Sequence, residues 1–449
     1  MVEVKTDRPH ILLVNPWIHD FAAYDVWAQP LGLLQLGAGL RRHGCRVSYI
    51  DCLDRFHPRA PFAEPSRRNG RGPYLKTPLP APPGLEALPR RFSRYGIPKD
   101  WLESDLRALS PPDLIMVTSV MTYWYPGVAE TVRALKRVFP TTPLVLGGIY
   151  ATLCRAHAES HIGADRVVSG TVRGEILAIL ERHIGFPTHP AFDFEDLDAW
   201  PYPAFDLQHR IAYIPVLTSV GCPFRCDYCA AHHLQPRLSR RDPLAVVDEI
   251  EYWQRDYGIR DFVFYDDALL VDAENHARPL LETLVRRTDG LRFHTPNALH
   301  IRPIDPQIAG LMRRAGFVTV RLGLETAAPE DETRLDRKVA IRDFQSAAHN
   351  LLAAGFSAHE VGAYLLAGLP DQSLKALEDS ILTVKAMGIR PILAYYTPIP
   401  HTALWERAVA VSRYDLEADP IFTNNAIFPC QREAFTWEAL SRLKRLTLS

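Results

Sequence analysis

The chain has 449 residues, 47% of them hydrophobic and 23% charged, enough for about two to four domains at roughly 150 residues each. Its 51 Lys and Arg against 52 Asp and Glu leave a formal charge of -1, which excludes the global basic field that draws proteins onto nucleic acid or anionic membranes. Apolar runs such as Ala363 to Ala367 fall far short of the roughly 18 residues that cross a bilayer, and the N-terminal MVEVKTDRPH has no apolar signal region; a soluble, cytoplasmic protein is expected.

In chain order, Ile11 to Val14 is a continuous apolar run ending in Asn15-Pro16. Pro30 to His43 has apolar residues at helical spacing, closed by Gly44 as a C-cap. Arg46 to Ile50 is a second strand. Residues 53 to 103 then interrupt the pattern with a Pro-rich insertion; between Pro58 and Asp100 nine Lys or Arg face three Asp or Glu. A solvated loop packed across the surface is the preferred reading, ahead of a basic patch for an anionic substrate. Asp113 to Ser119, Pro143 to Leu146 and Arg166 to Ser169 are further buried strands, with helices over Gly127 to Phe139 and Gly174 to Ile184. Continuous apolar strands separated by helices predict a parallel sheet covered on both faces, the doubly wound class, with ligands at the carboxyl ends of the strands. Those ends carry Asn15-Pro16, Ser119 to Trp124, Gly147 to Tyr150 and Gly170 to Glu175. A first domain over 1–185 is followed by a Pro- and aromatic-rich linker over 186–213.

From Ile214 the alternation restarts. Strands over Val216 to Val220, Phe262 to Tyr265, Leu291 to Thr295, Val318 to Leu322, Glu360 to Leu366 and Ile392 to Tyr396 alternate with helices over Pro243 to Tyr257, Asp305 to Ala315, Arg342 to Ala354 and Leu374 to Met387. Six repeats over 214–400 predict an α/β barrel or open barrel with its chemistry at the carboxyl ends of the strands. The extension 401–449 contains a helix over Thr436 to Leu446 and has no role legible in sequence.

The sharpest signal is Gly221 to Cys229, GCPFRCDYC, which sets Cys222, Cys226 and Cys229 at C-x3-C-x2-C spacing at the end of the first barrel strand. Three thiolates on one loop can address a soft metal centre, and in a [4Fe-4S] cluster they leave one iron open for substrate or cofactor. The rival is a structural Cys3His zinc, because His232 and His233 follow closely; against it, every ligand would come from one short loop, whereas zinc sites usually take a second half from elsewhere. The remaining four of seven cysteines, Cys45, Cys52, Cys154 and Cys430, are scattered and make no disulfide framework or auxiliary cluster.

This loop, with aromatic Tyr228 before the third cysteine and a β/α array behind it, resembles the radical S-adenosylmethionine (radical SAM) enzymes, and the Rossmann-like domain before it resembles the cobalamin-binding domain fused to one large subclass of them. The resemblance implies an N-terminal Rossmann-like cobalamin-binding domain followed by a radical SAM partial (β/α)6 barrel. It implies a [4Fe-4S] cluster on the three cysteines, S-adenosylmethionine chelated to the fourth iron, and one-electron cleavage to a 5'-deoxyadenosyl radical. It places Asp266 and Asp267 near the methionine amine, although the usual Gly-Gly-Glu is absent. Tyr228, Asn297, Gly323, Glu325, Gly368, Tyr396 and Thr397 fall in segments that would line the rest of that cofactor. Glu325 and Asp267 read equally well as ordinary helix caps or barrel-mouth carboxylates.

For cobalamin the resemblance implies Asn15, Ser119, Met121, Thr122, Gly147, Gly148, Tyr150, Gly174 and Glu175, the last two within an Arg173-Gly174-Glu175 element. There is no Asp-x-His-x-x-Gly to give cobalt a histidine, and Met121, Tyr123 and Trp124 would either cover the corrin's lower face or pack between domains. The reading that follows is methyl transfer from methylcobalamin to an unactivated carbon or phosphorus of a small molecule or peptide. An electron donor such as flavodoxin or ferredoxin would supply the cluster, with no nucleic acid partner. The alternatives are a cobalamin-associated cyclase, rearrangement or oxidation enzyme, and a zinc-stabilised regulatory or binding protein. Phosphate-loop, zincin and serine-hydrolase motifs are absent.

Overall fold

The computed structural model describes residues 8–430 and 436–448, apart from 62, 65–66, 171–174, 187–188 and 328–338. They divide into two compact units, up to residue 212 and from 213 onward.

In the first unit β1 (His10–Asn15), β2 (Arg46–Asp51), β3 (Leu114–Val117), β4 (Leu144–Leu146) and β5 (Arg166–Val167) form a parallel sheet in the order β2-β1-β3-β4-β5. Successive residues point to opposite faces, and both faces are buried. Leu12 and Val14 join Ile115 and Val117 in one core with the helices Lys99–Ala108 and Tyr125–Val138. Ile11 and Leu13 join Leu114 and Met116 in the other, with Leu31–Arg42 and Ile176–Ile184. This two-sided burial is why the strands read as unbroken apolar runs rather than as alternation. The order reverses between β1 and β3, so the ligand crevice of such a sheet lies at their carboxyl ends.

The insertion departs from the solvated loop expected of it. Lys76–Pro78 and Ser93–Tyr95 pair antiparallel, and Ser93–Tyr95 pairs again with Ile18–Asp20, just past β1. Several of its cations meet acids elsewhere in the first unit: Arg55 meets Asp25 at 2.9 Å, Arg59 meets Asp105 at 2.6 Å, and Arg94 meets Glu130 at 3.1 Å while covering the Trp17 ring. Three-residue strands interrupted by proline leave no periodicity to read. The segment before residue 213 also folds back on the first unit: Trp200 seats against the helix Leu31–Arg42 at Gly39, where an added Cβ would lie 2.9 Å from its ring.

In the second unit β6 (Ile214–Val216), β7 (Asp261–Phe264), β8 (Arg292–His294), β9 (Phe317–Glu325), β10 (Val361–Ala367) and β11 (Arg390–Tyr395) are parallel and neighbour one another in chain order, an open sheet of six. Three of its helices announce themselves by their caps. Asp242, Asp305 and Ser373 each accept a hydrogen bond from a first-turn backbone N–H, with Pro243 and Pro306 opening two of them and Gly258 and Gly316 closing the same two. The helix Ala277–Arg287 lacks a capping side chain at His276 and is not expected from sequence. The first barrel strand is shorter than expected: β6 stops at Val216, and Ser219–Val220 turns away to pair antiparallel with Ser239–Arg240. At the opposite end of the sheet Asp261 binds Arg292 at 2.7 Å and His294 at 3.0 Å, a buried clasp between β7 and β8.

Among the described residues no helix is long and apolar enough to cross a membrane.

Candidate functional site

The cysteine loop is built from its first residue. Gly221 has φ +84, and a Cβ there would lie 2.4 Å from the Arg237 carbonyl oxygen, so only glycine lets the chain turn. The Cys229 amide donates to the Cys226 carbonyl at 3.0 Å, drawing the last two cysteines into one turn, and the Ala231 amide donates to Cys229 Sγ at 3.4 Å. Cys226 is buried; Cys222 and Cys229 are half-buried. Burial pushes the Cys229 thiol up to about 11, and the neighbouring acids Cys226, Asp267 and Cys222 add to it, with the Ala231 amide opposing. A group of acids that disfavour one another's ionisation is what a bound cation reverses, so the donor set fits a thiolate-ligated cluster. Among the described residues no three Cys, His, Asp or Glu side chains converge on a single ion.

The carboxyl ends of the strands supply the rest. Asp266, past β7, is buried and accepts from the Thr218 amide and hydroxyl at 3.1 and 2.7 Å and from the Ser219 amide and hydroxyl at 2.6 and 2.7 Å. Its carboxylate is therefore occupied in holding the chain just ahead of Gly221, and Thr218 extends the network to His276 Nε2 at 2.8 Å. Asp267 has solvent-accessible surface, yet surrounding protein pushes its carboxyl up, and it lies near Cys229. Asn297 donates to the Tyr265 carbonyl at 2.8 Å, tying the end of β8 to that of β7.

Glu325 ends β9 with φ +65, in the left-handed region that side chains rarely adopt. The Thr326 amide donates to the Leu324 carbonyl at 2.7 Å, closing a γ-turn around it, and the pairing with β10 slips at the same place. A buried carboxylate held in strained backbone is a feature of ligand-binding sites. Gly323 lies under it: a Cβ there would sit 3.2 Å from Glu325 Oε1. Gly368, φ +93, donates to Gln372 Oε1 at 2.8 Å. Tyr396 is 4% exposed, and its hydroxyl is buried without a partner among the described residues. It packs with Leu366, Leu369, Ala408, Leu416 and Cys430, and Tyr228 leans on the same group. Thr397 follows it, half-buried.

The extension that sequence left without a role supports this edge. The Leu404 amide donates to the Asp227 carbonyl at 2.9 Å, and His233 Nε2 lies 2.6 Å from the His401 carbonyl. Contacts across some 170 residues of chain leave no local signal. His300 is a second residue sequence reasoning missed: its Nε2 lies 3.9 Å from Cys222 Sγ.

In the first unit the predicted residues divide. Asn15 donates to Asp51 Oδ1 at 2.7 Å, where burial pushes the Asp51 carboxyl up to about 7. Ser119 Oγ donates to the Gly147 carbonyl at 2.7 Å and its carbonyl accepts from Ile149 at 2.7 Å, latching the β3 and β4 loops together. Gly148, φ +98, is closed in, since a Cβ would lie 2.2 Å from the Ser119 oxygen, whereas Gly147 has nothing within 4 Å. Thr122 is buried and Met121 half-buried. Tyr150 is fully buried, with its hydroxyl 2.6 Å from His157 Nδ1, so it faces the interior rather than a ligand. Glu175 is exposed and pairs with Arg166 at 3.6 Å. Gly174 lies outside the described residues.

A doubly wound unit ahead of an open parallel barrel sheet, with three thiols on the loop after the first barrel strand, defines a two-unit α/β protein whose thiol loop fits an iron–sulfur cluster. Residues 216–383 match the family model described as the Radical SAM superfamily. The chain is 23% identical over 348 residues to an uncharacterized methyltransferase of Pyrococcus horikoshii, covering 70% of this chain and 74% of that protein. It is 26% identical over 343 residues to the anaerobic magnesium-protoporphyrin IX monomethyl ester cyclase of Cereibacter sphaeroides, covering 68% of this chain and 54% of the cyclase. The fold is that of the radical S-adenosylmethionine methyltransferase TsrM of Kitasatospora setae, solved with cobalamin and a [4Fe-4S] cluster bound: TM-score 0.64, 18% identity, 91% of this chain and 76% of that one.

Proposed function

We propose that this chain is a cobalamin-dependent radical SAM methyltransferase acting on an unactivated carbon or phosphorus of a small molecule or peptide. The observation that carries the reading is the C-x3-C-x2-C loop braced at the mouth of a barrel sheet and preceded by a doubly wound unit. The Pyrococcus protein and TsrM, both described as methyltransferases, support it.

When bound, the cluster and S-adenosylmethionine supply one-electron cleavage of a carbon–sulfur bond, and cobalamin supplies the methyl group. The protein's own part is placement. Cys222, Cys226 and Cys229 hold the cluster, on a loop whose entry Asp266 fixes. Asp267, close to Cys229, offers a carboxylate to the methionine ammonium. The Glu325 carboxylate, set by its γ-turn over Gly323, is suited to ribose hydroxyls or the same ammonium, and the Tyr396 hydroxyl needs an acceptor that the adenine ring can give. Gly147 leaves its backbone open to a ligand tail, while the Ser119 latch keeps the loop in shape. A low-potential donor such as flavodoxin or ferredoxin delivers the electron.

The test is anaerobic reconstitution with iron, sulfide and hydroxocobalamin, followed by a low-potential chemical reductant, because cobalt accepts a methyl group from S-adenosylmethionine only when reduced. Corrin retained through desalting, with S-adenosylhomocysteine released from S-adenosylmethionine only when corrin is present, supports the proposal. Protein that retains no corrin and releases none contradicts it.

A further inference from the structure

The Cys222 thiol has a neighbour that nothing above employs. His300 lies on the loop after β8, where its backbone is fixed on one side: the Leu299 amide donates to the Arg321 carbonyl at 2.8 Å, and Leu299 bridges Leu322 of β9. Its imidazole is held from the other side by Phe224, two residues past Cys222, at 4.4 Å between ring centres and 50° between planes. Between these supports Nε2 lies 3.9 Å from Cys222 Sγ, within reach of a hydrogen bond to sulfur. Cys222 and Phe224 are both in the cysteine loop, so the imidazole is registered to the sulfur by the loop itself.

We infer that His300 donates an Nε2–H hydrogen bond to the Cys222 sulfur and thereby raises the reduction potential of the cluster that Cys222 holds; the inference rests on the cluster reading of the loop. A cysteine sulfur bound to iron carries no proton and can only accept, which fixes the proton on Nε2. On reduction the cluster gains one electron from the low-potential donor, no proton moves, and the added negative charge spreads onto the sulfurs. A donor to one of those sulfurs stabilises the reduced state more than the oxidised one, and hydrogen bonds to cluster sulfurs are among the principal levers on these potentials. His300 is thus a positioning and tuning residue rather than a catalytic one.

The experiment is EPR-monitored redox titration of the reconstituted protein at fixed pH, for wild type, His300→Phe and His300→Gln. Phenylalanine keeps a ring against Phe224 and removes the donor; glutamine restores an N–H. The expected result is equal iron and sulfide content in all three, a midpoint shifted to more negative potential in H300F, and a midpoint near wild type in H300Q. A third variant, Phe224→Leu, frees the imidazole and should give a smaller negative shift. Equal midpoints for wild type and H300F overturn the inference while leaving the cluster reading intact. A folded H300F that takes up no cluster also overturns it, by giving His300 a role in assembly. Wild-type protein that takes up no cluster overturns both.

Discussion

Replacing Asp266 separates a brace from a ligand. Its carboxylate receives four donors, the amides and hydroxyls of Thr218 and Ser219, and Oδ1 alone lies within 2.6 to 3.1 Å of all four, Oδ2 sharing only the Thr218 amide. Asp266→Ala orphans them in a buried site. The Thr218 hydroxyl can turn to His276, 2.8 Å away, and the Ser219 hydroxyl can also rotate, but the two amides cannot. At about 1–3 kcal/mol for each unsatisfied buried donor, the loss is about 2–6 kcal/mol, a large share of the roughly 5–15 kcal/mol by which domains are stable. Asp266→Asn, with its carbonyl in the Oδ1 position, keeps all four donors and relieves the burial of charge that pushes this carboxyl up, so it should cost about 1 kcal/mol or less. The assay pairs the thermal midpoint with the rate at which Cys222 and Cys229 of the metal-free protein are alkylated. D266A should unfold at lower temperature and alkylate faster, with D266N close to wild type. Wild-type alkylation in D266A, or equal damage in D266A and D266N, would refute the reasoning.

Three further outcomes follow from the same geometry. Gly148→Ala forces a Cβ to within 2.2 Å of the Ser119 oxygen at φ +98 and should destabilise the first unit by at least about 1–3 kcal/mol in chemical denaturation; Gly147→Ala, with open space around it, should fold normally and lose corrin retention. Burial pushes the Glu130 carboxyl up, but hydrogen bonds from His19 and Lys99 and the charge of Arg94 outweigh it and hold the group at about 2, against an ordinary 4.5. A depressed carboxyl stabilises the fold above the ordinary value and loses that contribution as pH falls towards the folded one. Glu130→Gln should therefore cost about 3 kcal/mol at neutral pH and flatten the acid-unfolding curve between about 4.5 and 2. Asp267→Asn should leave iron content unchanged and weaken S-adenosylmethionine binding roughly ten- to a hundredfold, the loss of one charge-assisted hydrogen bond, read by equilibrium dialysis.

What the sequence makes legible is what lies close together in it. The sheets read correctly because two-sided burial gives unbroken apolar runs such as Ile11 to Val14, and the barrel helices because Asp242, Asp305 and Ser373 cap them. The cysteine loop is legible because its three thiols lie within eight residues. The helix Ala277–Arg287, without a capping side chain, is not, and neither are the short strands of the Pro-rich insertion, whose pairing partner lies near β1. Site residues fail in a different way. Sequence position places Asn15, Asp266 and Tyr150 at strand ends but cannot say that their polar atoms are spent on Asp51, on Thr218 and Ser219, and on His157. His300 and Leu404 come to the cysteine loop from 78 and 177 positions away in sequence, a proximity that only the folded sheet creates.

The central claim is that Cys222, Cys226 and Cys229 hold a cluster that cleaves S-adenosylmethionine. It is tested most directly by reconstituting wild type and Cys226→Ala with iron and sulfide under anaerobic conditions, reducing both, and measuring 5'-deoxyadenosine formed from S-adenosylmethionine. The account predicts a brown wild-type protein with a [4Fe-4S] spectrum that forms 5'-deoxyadenosine, and a variant that forms none. A colourless wild-type protein binding zinc in place of iron, or equal 5'-deoxyadenosine from the variant, would contradict it.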